Sequence, residues 1–294
     1  MTPLIKAREL AAQPPQSVLI VDCRFALADP AQGECDYLEA HVPGAVYAHL
    51  DRDLSDLSKP HLGRHPLPDE AVFAATLSRW GWAREKRIVA CDDNGGALAA
   101  ARLWWLARIA GIDAGVLDGG LRAWREAGLP LEQGAGKQRA ASRVALHFDP
   151  EQIVYAEELK RLREQPAMLL LDARAAQRYR GEVEPIDRKA GHVPGARNRP
   201  FSENLGEDGC FKPAQRLREE FAVLLGECDP RDLVHMCGSG VTAAHNLLAM
   251  EHAGLSGSRL FAPSWSGWID EPARPVATGD GSGAPTPSPP KPSP

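Results

Sequence analysis

Short apolar runs of strand length alternate along this chain with longer stretches in which apolar residues recur every three or four positions. "VLIVDCR" (Val18 to Arg24) and "MLLLDAR" (Met168 to Arg174) are of the first kind, and "DEAVFAATLSRWGW" and "PAQRLREEFAVLLGE" of the second. This alternation predicts an α/β fold whose mainly parallel sheet is flanked by helices on both faces. The pattern also repeats. "VLIVDCR" leads to "EAHVPGA" and "MLLLDAR" to "AGHVPGA", so that Asp22 corresponds to Asp172 and His41 to His192. Further on, "VLDGGLRAW" ending at Trp124 pairs with "LFAPSWSGW" ending at Trp268. Two homologous units of about 130 residues follow from these landmarks.

The expected boundaries are a first unit over 1–135, a linker over 136–147 in a stretch rich in Gly and small polar residues, a second unit over 148–277, and a disordered tail over 278–294 composed almost wholly of Pro, Gly and Ser. A length of 294 residues with 44% hydrophobic and 25% charged residues is that of a globular chain able to bury large cores. The charge of -5 is spread without like-sign blocks, so no basic stripe points to nucleic acid or to a membrane surface. Small molecules or other proteins are the expected partners. Six cysteines occur with no C-x-x-C pair, which fits neither a disulfide scaffold nor a zinc ribbon and implies reduced thiols in a cytoplasm. The first residues lack a basic and then apolar leader, and the longest apolar runs are too short to span a bilayer, so neither export nor anchoring is expected.

Chemistry concentrates in "VHMCGSGVTAAHNLL" (Val234 to Leu248). "DLVHM" has strand length, and the residues after the glycines have helical spacing, which places Cys237 at a strand-to-helix turn. Gly238 and Gly240 let the backbone curl so that successive amides point inward, and the following helix adds the positive end of its dipole. A thiol there is favoured as thiolate, and an anion bound beside it is stabilised by the same amides. The plainer reading is a buried structural cysteine. A cysteine phosphatase would need an arginine six residues after the cysteine, where this chain has Ala243. His235, Cys237 and His245 lack a metal-ligand spacing, so no metal is expected.

The duplicated "HVPGA", the "CGSGVTA" loop and the later "SWSGW" together resemble the tandem-domain rhodanese-like sulfurtransferases, over nearly the whole chain apart from the tail. The loop looks like the 3-mercaptopyruvate type rather than the thiosulfate type, whose pattern is C-R-K-G-V-T. The resemblance implies two tandem rhodanese-like domains and transfer of a sulfane sulfur from a small-molecule donor, through a Cys237 persulfide, to a thiol or cyanide. A thioredoxin-like protein is among the candidate thiol acceptors, and no cofactor is needed. Thiosulfate is the alternative donor, and a noncatalytic binding or redox-sensing module is the alternative from another class.

A loop of amides, glycines and one hydroxyl suits a singly charged 2-oxo acid better than a thiosulfate dianion. The expected substrate contacts are the loop residues Gly238, Gly240, Val241 and Thr242, with Arg178 and Arg188 as carboxylate holders; Arg178 matches the family's arginine before an aromatic residue. The segment reads "EPID" where the family has "EPR". The resemblance further implies a Ser-His-Asp set, here Ser239, His65 and Asp51, for proton transfer. His41 and His192 recur in both halves, which favours a structural role. In the first half "VACDDNGG" puts Asp92 or Asp93 where Cys237 stands in the second. Carboxylates in such a cradle would fill an anion site and repel an anionic donor, so the first unit is expected to be noncatalytic.

Overall fold

The computed structural model describes residues 2–97, 99–136, 139–165 and 167–281. Among these residues ten strands form two sheets: β1 (Leu4–Ile5), β2 (Val18–Asp22), β3 (Val46–Tyr47), β4 (Arg87–Cys91) and β5 (Ala114–Leu117), then β6 (Ile153–Val154), β7 (Leu169–Asp172), β8 (Arg197–Asn198), β9 (Leu233–Met236) and β10 (Arg259–Phe261). The strand orders are β1-β5-β4-β2-β3 and β6-β10-β9-β7-β8, the same permutation twice. Every pairing is parallel. The central strands are continuous apolar runs because helices cover both faces; β9, "LVHM", is buried at every position. The expected α/β duplication with mainly parallel sheets is what the chain adopts.

The repeated landmarks have one local explanation in both halves. Asp22 at the end of β2 grips Arg24 in a buried ion pair at 2.8 Å, and the same guanidinium donates to the Ala40 carbonyl at 2.7 Å. Asp172 and Arg174 repeat this at 2.6 Å, with Gly191 O accepting at 2.8 Å. Each arginine thus ties a strand end to the "HVPGA" turn. His41 stacks on Tyr37 and bonds its carbonyl through Nδ1, and His192 does the same with Tyr179. The glycine in each turn is left-handed, φ +73° at Gly44 and +86° at Gly195. These residues build the fold in both halves.

Helix Ala100–Ile109 of the first unit packs on helix Ala243–His252 of the second. Both are almost wholly buried, and one apolar cluster runs from Leu19 and Ile88 through Trp104, Trp105 and Leu247 to Leu171 and Leu260. The two units therefore share a core. Phe148, in the segment that joins them, is part of it. Of the expected tail, Gly279 donates to the Arg180 carbonyl at 2.9 Å, and residues 282–294 lie outside the described residues.

Two histidines in the second unit are buried neutral. Burial lowers His235 to about 3, and neither ring nitrogen has a hydrogen-bond partner among the described residues. Burial lowers His245 to about 4, opposed by its bond to the Gly95 carbonyl at 3.1 Å. An unfolded histidine takes up its proton near pH 6.5, so the unfolded chain binds more protons than the native one between there and pH 3–4. Stability is full above about pH 6.5 and falls by roughly 1.4 kcal/mol per pH unit for each histidine below it. Replacing His235 with leucine should flatten this acid dependence, measured as a smaller drop in melting temperature between pH 6.5 and 4.5 than the wild type shows.

Candidate active site

Cys237 follows β9 directly, and its loop is held from behind by the "SWSGW" helix Ser264–Trp268. Cys237 N–H donates to Ser264 Oγ at 3.1 Å, while the carbonyls of Cys237 and Gly238 accept from Trp265 and Ser266 amides, each at 2.9 Å. The loop then turns at Gly240, φ +76°, whose N–H donates to Cys237 Sγ at 3.2 Å. A Cβ at Gly240 would lie 2.4 Å from the Ala262 carbonyl oxygen, so only glycine fits there. Gly238, Ser239, Val241 and Thr242 line an open cavity of about 150 Å³ with Cys237, and Gly240 is not among its lining residues. Phe25, Leu27, Leu50 and Ile186 supply apolar walls.

The first unit completes this cavity. His65 Nδ1 is 2.7 Å from Ser239 Oγ, and its Nε2 is 3.4 Å from Asp51 Oδ1, an ion-pair contact longer than a hydrogen bond. The structure thus brings Ser239, His65 and Asp51 together from opposite sides of the cleft. Burial, followed by the charges of Arg64 and Arg102, pulls His65 down to about 3. The imidazole is therefore neutral at neutral pH, and a carboxylate beside Nε2 favours the tautomer with its proton there. Nδ1 is then free to accept the Ser239 hydroxyl proton.

Of the two expected arginines, Arg178 lines the cavity and Arg188 does not. Arg178 is held by Glu184 through Nε and Nη2, and by Asp187 at 3.1 Å. Arg188 turns to the surface, 60% exposed, where it bonds the Ile269 carbonyl and pairs with Asp270 at 3.2 Å. "EPID" places the acidic Asp187 against Arg178, which lines the cavity, and sends the following arginine away from it. A cation missed in the sequence takes the cavity position instead: Arg64, beside His65, pairs with Asp187 at 2.5 Å. A side chain at Gly238 would begin 3.1 Å from Arg64 Nη2 and 3.8 Å from both Arg178 Nη atoms. Two guanidinium groups from different units thus converge where the loop carries no side chain.

The corresponding loop of the first unit holds a carboxylate. Cys91 pairs with Asp22 across the sheet as Met236 pairs with Asp172, which aligns Asp92, rather than Asp93, with Cys237. Asp92 accepts from the amides of Asn94 at 3.0 Å, Gly96 at 2.8 Å and Ala100 at 3.3 Å. Burial raises its pKa against the pull of those amides. Burial together with the charges of Asp22 and Asp92 pushes the Cys91 thiol well above its ordinary range, away from the thiolate that a nucleophile needs.

Residues 6–127 and 155–271 each match the rhodanese-like domain family. A Pseudomonas aeruginosa protein provisionally named a 3-mercaptopyruvate sulfurtransferase is 48% identical over 94% of this chain and 98% of its own. A Mycobacterium tuberculosis protein, SseB, provisionally named a thiosulfate sulfurtransferase, is 40% identical over 94% and 97%. The solved 3-mercaptopyruvate sulfurtransferase from Leishmania major superposes with a TM-score of 0.80 at 32% identity, covering 90% of this chain and 73% of its own.

Gly240→Ala should cost on the order of 2 kcal/mol of stability and lower turnover at least a hundredfold, because it displaces the amide that faces Sγ. Thermal unfolding and a steady-state sulfur-transfer assay on the purified variant check both.

Proposed function

The chain belongs to the rhodanese-like domain family and is a sulfurtransferase, and from that premise we propose that it moves sulfur from 3-mercaptopyruvate through a Cys237 persulfide. The observation that carries the choice of donor is the Ser239–His65–Asp51 contact, at 2.7 and 3.4 Å. The Cys237 thiolate attacks the donor's sulfur, an S–S bond forms, and the C3–S bond breaks with its electron pair left on carbon. The donor sulfur starts with a proton and the product carbon ends with one. Ser239 can take that proton as it passes its own to His65 Nδ1, then return it to C3 to give pyruvate as His65 hands its proton back to the serine, which restores both side chains. An acceptor thiolate or cyanide next attacks the terminal sulfur, and the bonding pair returns to Cys237.

Thiosulfate needs no such shuttle, since its sulfane sulfur bears no proton and sulfite departs with the pair. A proton relay assembled across two units thus has a use with one donor and none with the other. Arg178 and Arg64 hold the donor carboxylate, oriented by Glu184 and Asp187. Thiosulfate is the second reading, supported by the convergence of two cations at Gly238. Thiol acceptors include thioredoxin-like proteins. Six unpaired cysteines fit a reducing compartment such as the cytoplasm. Among the described residues no helix is long and apolar enough to cross a membrane.

The test compares both donors in steady state. The wild type should prefer 3-mercaptopyruvate in kcat/KM, and Cys237→Ser should abolish turnover of both. His65→Gln and Ser239→Ala should each lower 3-mercaptopyruvate turnover about a hundredfold and thiosulfate turnover only a few-fold. Equal losses with both donors would remove the shuttle, and no Cys237-dependent turnover would leave a binding or sensing module. Arg64→Ala should lower kcat/KM for 3-mercaptopyruvate at least tenfold, as loss of a charge-assisted bond implies, whereas Arg188→Ala should change it less than twofold.

A further inference from the structure

Arg102 is a cation where none would be placed for stability. It projects from the helix Ala100–Ile109 of the first unit and is 0% exposed. Among the described residues no carboxylate lies within ion-pair distance of it, and its Nε has no hydrogen-bond partner. The other buried arginines among the described residues each have an acid: Arg24 has Asp22, Arg174 has Asp172, and Arg199 has Glu203 and Glu220. A buried cation without a counterion is strongly unfavourable, so its surroundings should contain the anion that balances it.

Its contacts point to that anion. Nη1 donates to the Gly240 carbonyl at 2.9 Å, and Nη2 to the His65 carbonyl at 3.2 Å. The Gly240 amide in turn faces Cys237 Sγ at 3.2 Å. One planar fork therefore joins the residue that touches the sulfur to the residue that touches Ser239. Burial lowers the guanidinium to about 10, and the charge of Cys237 is the foremost interaction opposing that fall.

We propose that Arg102 is a positioning residue lent by the first unit, which serves as the buried counterion of Cys237 in its anionic forms and locks His65 against the active loop. This rests on Cys237 being the sulfur carrier. The charge offsets that of the sulfur in both its thiolate and persulfide forms, and the fork keeps the proton shuttle in register with it. A lysine at 102 would retain the charge and lose the two-pronged geometry.

The test reads alkylation of Cys237 in the full chain by iodoacetamide, followed by peptide mass spectrometry, beside steady-state turnover and thermal unfolding. In Arg102→Met, alkylation of Cys237 should be about tenfold slower than in the wild type at pH 7 and equal to it at pH 10. A wild-type rate at pH 7 in a variant that still unfolds cooperatively would overturn the counterion role. Arg102→Lys should alkylate within about threefold of the wild type at pH 7 while its kcat/KM falls at least tenfold. If the methionine variant does not fold, the lysine variant decides alone: tenfold slower alkylation at pH 7 overturns the charge role, and wild-type kcat/KM overturns the fork. Cys237-dependent turnover with alkylation indifferent to residue 102 sinks this inference only. Arg102-dependent alkylation in a wild type that turns over neither donor sinks the sulfur-transfer reading and leaves the counterion standing.

Discussion

The site depends on the apolar seam between helix Ala100–Ile109 and helix Ala243–His252. Cys237, Ser239 and Arg178 come from one unit, and His65, Asp51 and Arg64 from the other, so the His65–Ser239 contact of 2.7 Å and the Arg64–Asp187 pair at 2.5 Å, both across the cleft, exist only if the units cannot slide. Interfaces between domains of one chain are commonly polar enough to permit motion. Here the interface is continuous core, with Trp105 and Leu248 wholly buried within one cluster that reaches both sheets. Close packing of that kind has low compressibility and holds side chains to fractions of an ångström. Arg102 sits in the same seam and adds hydrogen-bonded direction to what apolar packing supplies without direction.

Duplication explains why the cradle occurs twice, and the residue at its centre explains why the halves differ. Both units end a central strand in a loop that leads into a buried helix, and in both a backbone N–H of that loop donates to the side chain of its first residue. At Asp92 the amides of Asn94, Gly96 and Ala100 are taken by a carboxylate, so the cradle is already filled by a group covalently part of it. At Cys237 the amide of Gly240 faces a sulfur that can leave its resting state and return. The first unit keeps the architecture and contributes Phe25, Leu27, Leu50, Arg64 and His65 to the lining of its neighbour's cavity.

What is legible in the sequence is what repeats or what is local. "VDCR" and "LDAR", with the two "HVPGA" turns, are visible because the same ion pair and the same histidine–tyrosine stack are needed in each half. The loop around Cys237 is visible because glycines at a strand-to-helix turn have few other uses. Arg64 and Arg102 are not visible. The first lies in a loop, where a lone arginine is ordinarily solvated, and the second lies in a helix, where nothing in "ARLWW" says which face meets another unit's loop. Arg188 shows the converse: proximity to a family pattern suggested a contact, and the backbone after Asp187 carries the side chain to Asp270 instead.

The charge at the sulfur is therefore a tertiary quantity. A loop without cationic side chains suggests a site of low positive charge, yet Gly238 is flanked by two guanidinium groups from outside the loop. Those groups are in turn balanced by Glu184 and Asp187, so the cluster has little net charge, and its value to a donor lies in oriented N–H groups more than in long-range attraction. Loop composition is then a weak guide to the donor. Proton accounting is a stronger one, because it depends on the donor's chemistry rather than on a sum of distant charges. A donor whose sulfur must lose a proton and whose carbon must gain one requires a neutral base beside the reacting atoms. His65, kept neutral by burial and by two neighbouring arginines, and joined to Ser239 at 2.7 Å, has the protonation state and the position that such a donor requires.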